Sequence, residues 1–177
     1  MILWRPMRGD DLPAVLRIAE TLHPDYPERI EVFADKLAFF PAGCRVVEDA
    51  DGAIRGYAFA HVWSQGLPPL LDQPLGPLPG PADCLHLHDI ALMPQIRGHG
   101  GATLYLNQLE ALAQARGLPA LTLIAIKGQD GFWRGLGFKE FIAPTAELTA
   151  RLGSYGSGNS YLCRDVTKLK ESDTQTA

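Results

Sequence analysis

Positive charge is in short supply. Sixteen Lys and Arg face 20 Asp and Glu, a formal net charge of −4, whereas a sequence-independent grip on nucleic acid wants a basic surface. Cysteine is scarcer still. Cys44, Cys84 and Cys163 are odd in number and far apart, which excludes a disulfide framework and points to a reducing, cytoplasmic setting. No apolar run approaches the roughly 20 residues of a spanning helix. The N-terminal MILWRPMRGDD turns polar too early for a signal peptide. Neither nucleic acid nor membrane is an expected partner, and no internal repeat is evident.

What is present is an ordinary globular composition, 46% hydrophobic and 20% charged in 177 residues, enough for one domain with a buried core. That domain is expected over 1–166, with a polar, disordered tail at 167–177. MILWR reads as a strand. A helix follows, with Asp10 or Asp11 as N-cap and Pro13 in its first turn. A second helix carries Ile30, Phe33, Leu37 and Phe40 at helical spacing and stops at Pro41. Residues 44–49 and 54–63 form a hairpin. Residues 64–83 are too rich in Pro and Gly for a regular element and too long for a plain connector. Their leucines predict a loop that packs as a lid over a site. Residues 85–92 alternate as a strand. Residues 100–117 form an amphipathic helix with Leu104, Leu106, Leu109 and Leu112 inward and Gly117 beyond its end. Residues 120–126 are a strand buried on both faces; a short helix covers 131–138 and a last strand the run NSYLCRDV. The class is α+β, mixed α/β.

Chemistry concentrates in two places. Residues 84–89, CLHLHD, hold a cysteine, two histidines and an aspartate. Strand alternation puts Cys84, His86 and His88 on one face and Asp89 on the other. An H-x-H pair with Cys84 suits zinc, but a site needs a third or fourth ligand and no second Cys/His cluster exists. No metal is expected. Histidine near its ordinary pKa of about 6.5 is also suited to moving protons. The second place follows directly. From Pro94 the chain reads P-x-x-R-G-x-G, then enters a helix through Gly98, Gly100, Gly101 and Ala102. Free N–H groups at a helix N-terminus bind phosphate, and small residues let it approach. No Lys-Ser or Lys-Thr follows, so this is not a P-loop. The dinucleotide fingerprint fails as well.

The stretch Arg97–Ala102 fits R-x-x-G-x-A and resembles the acyl-CoA-binding motif of the GNAT superfamily of N-acyltransferases. The segment HDIAL before it looks like that family's fourth strand. GFWRGLGF is similar to its late FYxxxGF segment, and the order of elements agrees to about Val166. The resemblance implies a mostly antiparallel twisted sheet of six to seven strands, splayed between strands 4 and 5 and flanked by helices. It implies acetyl-CoA as co-substrate, its pyrophosphate on Arg97, Gly98, His99, Gly100, Gly101 and Ala102. The pantetheine arm would run beside Ile90, Ala91 and Leu92, with Phe132 and Trp133 nearby and the Leu92 N–H as oxyanion donor. The H-x-H placement is similar to arylalkylamine N-acetyltransferases, where such a pair relays the amine proton, and this implies His86 and His88 as the relay. Tyr26, Phe33 and Trp63 would border the acceptor, a small-molecule amine; protein N-termini or lysines, or acyl-CoA binding without transfer, are the alternatives. A homodimer stays open. One departure stands out. Trp133 occupies the place of the tyrosine that protonates the leaving thiolate, and Tyr57, Tyr155 and Tyr161 are the candidates to replace it.

Overall fold

The alternating apolar runs of the first half pair as an antiparallel meander. A computed structural model describes residues 2–166; the tail expected at 167–177 lies outside the described residues. Strands β1 (Trp4–Pro6), β2 (Arg45–Glu48), β3 (Ile54–Trp63), β4 (Cys84–Leu92), β5 (Ala120–Ala125), β6 (Lys139–Glu140) and β7 (Ser160–Asp165) form one seven-stranded sheet in the order β1-β2-β3-β4-β5-β7-β6. Every pairing is antiparallel except β4 with β5.

Helices α1 (Leu12–Leu22) and α2 (Ile30–Phe39) cover one face, where Phe33 stacks on Phe59 at 5.1 Å between ring centroids and Val15 and Tyr57 are fully buried. Helix α3 (Gly101–Ala115) and the short α4 (Asp130–Gly135) cover the other, packing Tyr105, Leu106, Leu109, Trp133 and Phe138 on Leu85, Leu87, Leu121 and Leu123. Full burial of one such side chain stabilises by about 1.5–3 kcal/mol.

Several expectations change. Asp11 stands at the N-cap of α1 as expected, but its side chain does not cap that helix: Arg5 takes both its oxygens at 2.8 Å and the Arg8 N–H donates to it at 2.7 Å. Leu104 is exposed, and Tyr105 takes the inward position instead. An additional helix, α5 (Ala146–Gly153), precedes β7, capped by Thr145 Oγ1 accepting from the Leu148 N–H at 3.0 Å. Residues 64–83 contain no helix or strand, yet they are pinned at both flanks. Arg29 pairs with Asp72 at 2.9 Å and Asp35 accepts from the Leu75 N–H at 2.7 Å on the α2 side. Arg151 donates to Pro68 O at 3.1 Å, and the Leu71 N–H donates to Ser154 Oγ at 3.1 Å, on the α5 side.

Two irregularities of β4 shape the site. Its ladder with β5 spans only Cys84–Leu87 against Ala120–Leu123, although β4 runs on to Leu92 along β3. The two central strands therefore diverge beyond Leu87. Opposite β3, Asp89 pairs with Phe59 and Leu87 with Ala60, so His88 is a β-bulge with no partner of its own.

Candidate active site

The divergence opens into a cleft of about 640 Å³ whose walls include β4 from Leu87 to Leu92, β5 from Leu123, and the N-terminus of α3. One end is made of main chain. Gly98 and Gly100 have φ of +77° and +75°, the left-handed region that glycine enters without strain, and a side chain at either would meet nothing within 4 Å. The turn is thus bare on its outer side. Leu104 N–H donates to Gly100 O at 2.9 Å, so the N–H groups of the residues between them have no acceptor within the helix. Trp4 ties this terminus to β1 by donating to Gly101 O at 2.8 Å. Arg97 lines the cleft and donates from Nε to Leu92 O at 2.7 Å. Met93 N–H donates to Arg55 O beside β3 at 2.8 Å; by alternation the Leu92 N–H is turned to the opposite edge, the one β5 has left. These groups fit an extended arm ending in a pyrophosphate.

The other end is made of side chains. His88 Nε2 lies 2.8 Å from Glu28 Oε1, and Glu28 Oε2 accepts from Lys36 Nζ at 2.9 Å. Burial opposes charge on Glu28, but its interactions with His88 and Lys36 win and hold its carboxyl well below the usual range. An ionised Glu28 requires the hydrogen of a neutral His88 ring to be on Nε2, which leaves the lone pair on Nδ1. That Nδ1 is buried without a hydrogen-bond partner. Asp89 accepts from the Tyr57 hydroxyl and lies 3.7 Å from His23 Nδ1. Leu22, His23, Tyr26, Leu71 and Tyr155 complete this end.

The placement of the anticipated residues divides clearly. Ile90, Ala91, Leu92, Arg97, Gly98, Gly100, Gly101, Ala102, Phe132, Trp133, His88 and Tyr26 all line the cleft. His99 is exposed, does not line it, and bonds through Nδ1 to Arg97 O at 2.7 Å. His86 stands behind the wall, 1% exposed, with Nδ1 3.0 Å from Thr122 Oγ1; burial pushes its pKa well below the ordinary value. Phe33 and Trp63 do not reach the cleft either. Phe33 is core beneath α2, and Trp63 packs with Leu75 and Cys84 while donating to Leu67 O at 2.6 Å. Asp89 was expected on the face opposite the histidines. The bulge corrects this: Asp89 pairs with Phe59 and His86 with His61, two residues along β3 on one face. Burial raises the Cys84 thiol to about 12, which leaves it an inert neutral group.

The sequence reading missed Glu28, Lys36, His23 and His61. Lys36 left a signal, because it falls on the helix face of Val32 and Phe33. His61 also left one, because it interrupts an apolar strand. Its ring lies 5.6 Å from that of His86 and 6.0 Å from that of His88. Glu28, in an irregular segment between two helices, left none.

Residues 12–138 match the acetyltransferase (GNAT) family. The chain belongs to that family. Its members are acyl-CoA-dependent N-acyltransferases. No curated protein matches the chain at a significant level. Solved structures that share the fold include Ard1 from Thermoplasma volcanium, with TM-score 0.68, 15% identity, and 94% of this chain and 99% of that one covered. Rv2747 from Mycobacterium tuberculosis, in complex with CoA and NLQ, gives 0.65, 18%, 92% and 98%. Naa20 from Chaetomium thermophilum, in complex with a bisubstrate analogue, gives 0.66, 19%, 92% and 86%. Among the described residues of this GNAT chain, no helix is long and apolar enough to cross a membrane.

Proposed function

We propose that this enzyme transfers an acetyl group from acetyl-CoA to the primary amine of a small molecule by direct attack. The observation that carries the reading is the cleft itself. A bare main-chain end for the donor meets, at the strand divergence, an end that holds a carboxylate–imidazole pair and is closed by an ordered loop. The CoA bound to Rv2747 is consistent with the donor assignment. Leu71 of the 64–83 loop and Tyr155 narrow the acceptor end, which favours a small amine over the extended backbone of a protein N-terminus.

The amine arrives as a cation, its pKa ordinarily near 10.4 for a lysine-like group. His88 accepts its proton, the nitrogen lone pair attacks the thioester carbon, and the Leu92 N–H stabilises the oxyanion. The C–S bond then breaks, and the second proton on the attacked nitrogen passes to the departing thiolate or to solvent, leaving the neutral amide. CoA leaves as a thiolate of pKa about 8.5, which needs no strong acid. Trp133 supplies none. Tyr155 lines the cleft as a neutral phenol, its ionisation pushed up by burial, and donates to Pro69 O at 3.0 Å. His86 is assigned a place behind His88 in proton relay rather than contact with substrate. Cys84 is too deeply buried and too weakly acidic for an acyl-enzyme route.

The test is a thiol-release screen of acetyl-CoA against primary amines, amino acids and short peptides. Release with small amines and none with peptides is expected. Release with peptides alone would transfer the assignment to protein acetylation. CoA-dependent thermal stabilisation without any release would leave an acyl-CoA-binding module.

A further inference from the structure

We infer that Lys36 is a positioning residue of the acid–base apparatus, its buried ammonium compensating Glu28 so that His88 stays uncharged and able to take the amine proton. The inference rests on the role proposed for His88 and goes beyond it, since Lys36 neither lines the cleft nor touches the imidazole through any recorded hydrogen bond.

Lysine is almost never fully buried unless paired. Lys36 is 1% exposed in the last turn of α2, turned inward beside Val32 and Phe33 rather than outward with Glu31. Taking an ammonium and a carboxylate out of water costs several kcal/mol per ion, and replacing such a pair by apolar residues is often neutral or stabilising. Stability alone is therefore a weak reason for this lysine. The geometry supplies a stronger one. One carboxylate is shared between two cationic candidates, Lys36 Nζ at 2.9 Å on Oε2 and His88 Nε2 at 2.8 Å on Oε1. The three side chains are 1%, 5% and 2% exposed, so they interact with little solvent screening. If Glu28 faced only the imidazole, the pair would be lowest in energy as carboxylate and imidazolium. An imidazolium has no lone pair with which to deprotonate an amine. Lys36 fills the cationic place permanently. Glu28 can then fix the ring and its Nε2–H without drawing a second proton onto Nδ1.

The other groups facing His88 are neutral apart from Asp89, whose carboxylate acts in the opposite sense. His61 on β3 and His86 on β4 are held uncharged, chiefly by burial. Tyr155 is held as a neutral phenol. Asp89, next in the chain, is engaged by the Tyr57 hydroxyl and by His23.

The experiment compares three variants with the parent. Lys36→Met removes the compensating charge, and the acidic limb of kcat/KM should move to higher pH. Transfer at pH 7 should fall about tenfold or more and recover as pH rises. Glu28→Gln leaves the ammonium beside the imidazole, and the limb should move the other way. The double variant K36M/E28Q carries neither charge and should return the limb toward the parent. It also covers the case in which K36M alone fails to fold. Histidine side-chain NMR titration reads the His88 ring directly, with or without a productive amine. A uniform loss of kcat, with the limb and the ring titration in their parental positions, overturns the inference. Parental protein that binds acetyl-CoA but acetylates nothing overturns the proposed function instead, and the ring titration then decides the Lys36 question alone.

Discussion

The two ends of the cleft are built from different material. The end proposed for the donor is almost all main chain: a strand edge released by its neighbour, a turn of glycines, and a helix terminus. Its residues run contiguously from Ile90 to Ala102. The acceptor end is almost all side chain. Glu28, Leu71, His88, Asp89 and Tyr155 come from four separate stretches and meet only after folding, with Lys36 of α2 behind Glu28. A surface of main-chain N–H groups recognises a phosphate or an amide arm whatever else the molecule does. A surface of side chains can be exchanged one residue at a time. One fold can therefore keep its donor and change its acceptor, which accords with function residing in the site rather than in the fold.

The largest effect should come from placing one charge at the main-chain end. Gly100→Glu puts a carboxylate at the seat proposed for the pyrophosphate, at φ +75°. CoA affinity should fall at least a hundredfold by calorimetry. Gly100→Ala separates the causes. The left-handed conformation costs an L-residue roughly 1–2 kcal/mol, with no clash, so stability should drop by about that amount while most of the affinity remains. Equal affinity losses in the two variants would mean that backbone geometry, not the anion seat, governs binding.

At the side-chain end Glu28→Gln should do the reverse. CoA affinity should hold within a few fold, and kcat should fall by roughly 10²-fold, the lower range for a lost acid–base function. Breaking a buried pair from one side also costs about 3–5 kcal/mol. The sign of the pH dependence is fixed. The Glu28 carboxyl is held below its ordinary 4.5 in the folded state, so its contribution to stability is present above that value and is lost as pH falls below it. Chemical denaturation between pH 6 and pH 3 should show the parent losing stability in this window and E28Q losing less. A parallel decline in both would place the acid sensitivity elsewhere.

The same contrast explains what the sequence disclosed. β3 is observed over the strand-like run 54–63 that follows the predicted turn, and the glycine turn opens α3 where the motif places it, because both signals are local. The divergence of β4 from β5 was reached through family resemblance and not through periodicity. The bulge at His88 went unread although it left a trace: apolar and polar residues alternate from Leu85 to His88, but His88 and Asp89 then stand together as two polar residues before Ile90–Leu92, the break in phase that one inserted residue makes. Phe33 and Trp63 were drawn toward the site by chain position, but the core had the stronger claim on their apolar surface. Lys36 was legible in principle, as a charge on the stripe of Val32 and Phe33. Glu28 was not, since its partners lie 8 and 60 residues away in sequence.

The smallest effect tests whether the acceptor end needs an acid where Trp133 offers none. Tyr155 is the one candidate phenol that lines the cleft; Tyr57 is committed to Asp89, and Tyr161 accepts from the Gly66 N–H at 3.1 Å. Yet the Tyr155 hydroxyl already donates to Pro69 O. A phenol that protonated the thiolate would have to leave that carbonyl, and the carbonyl would lose its partner. The bond is better explained as a pin holding the 64–83 loop against the segment after α5. Tyr155→Phe should therefore cost about 1 kcal/mol of stability, the ordinary net value of one hydrogen bond. It should raise KM for the amine a few fold as the loop loosens and leave kcat within about threefold. A kcat loss beyond tenfold, greatest with acyl donors whose thiols leave poorly, would instead make Tyr155 the acid that substitutes for a tyrosine at position 133.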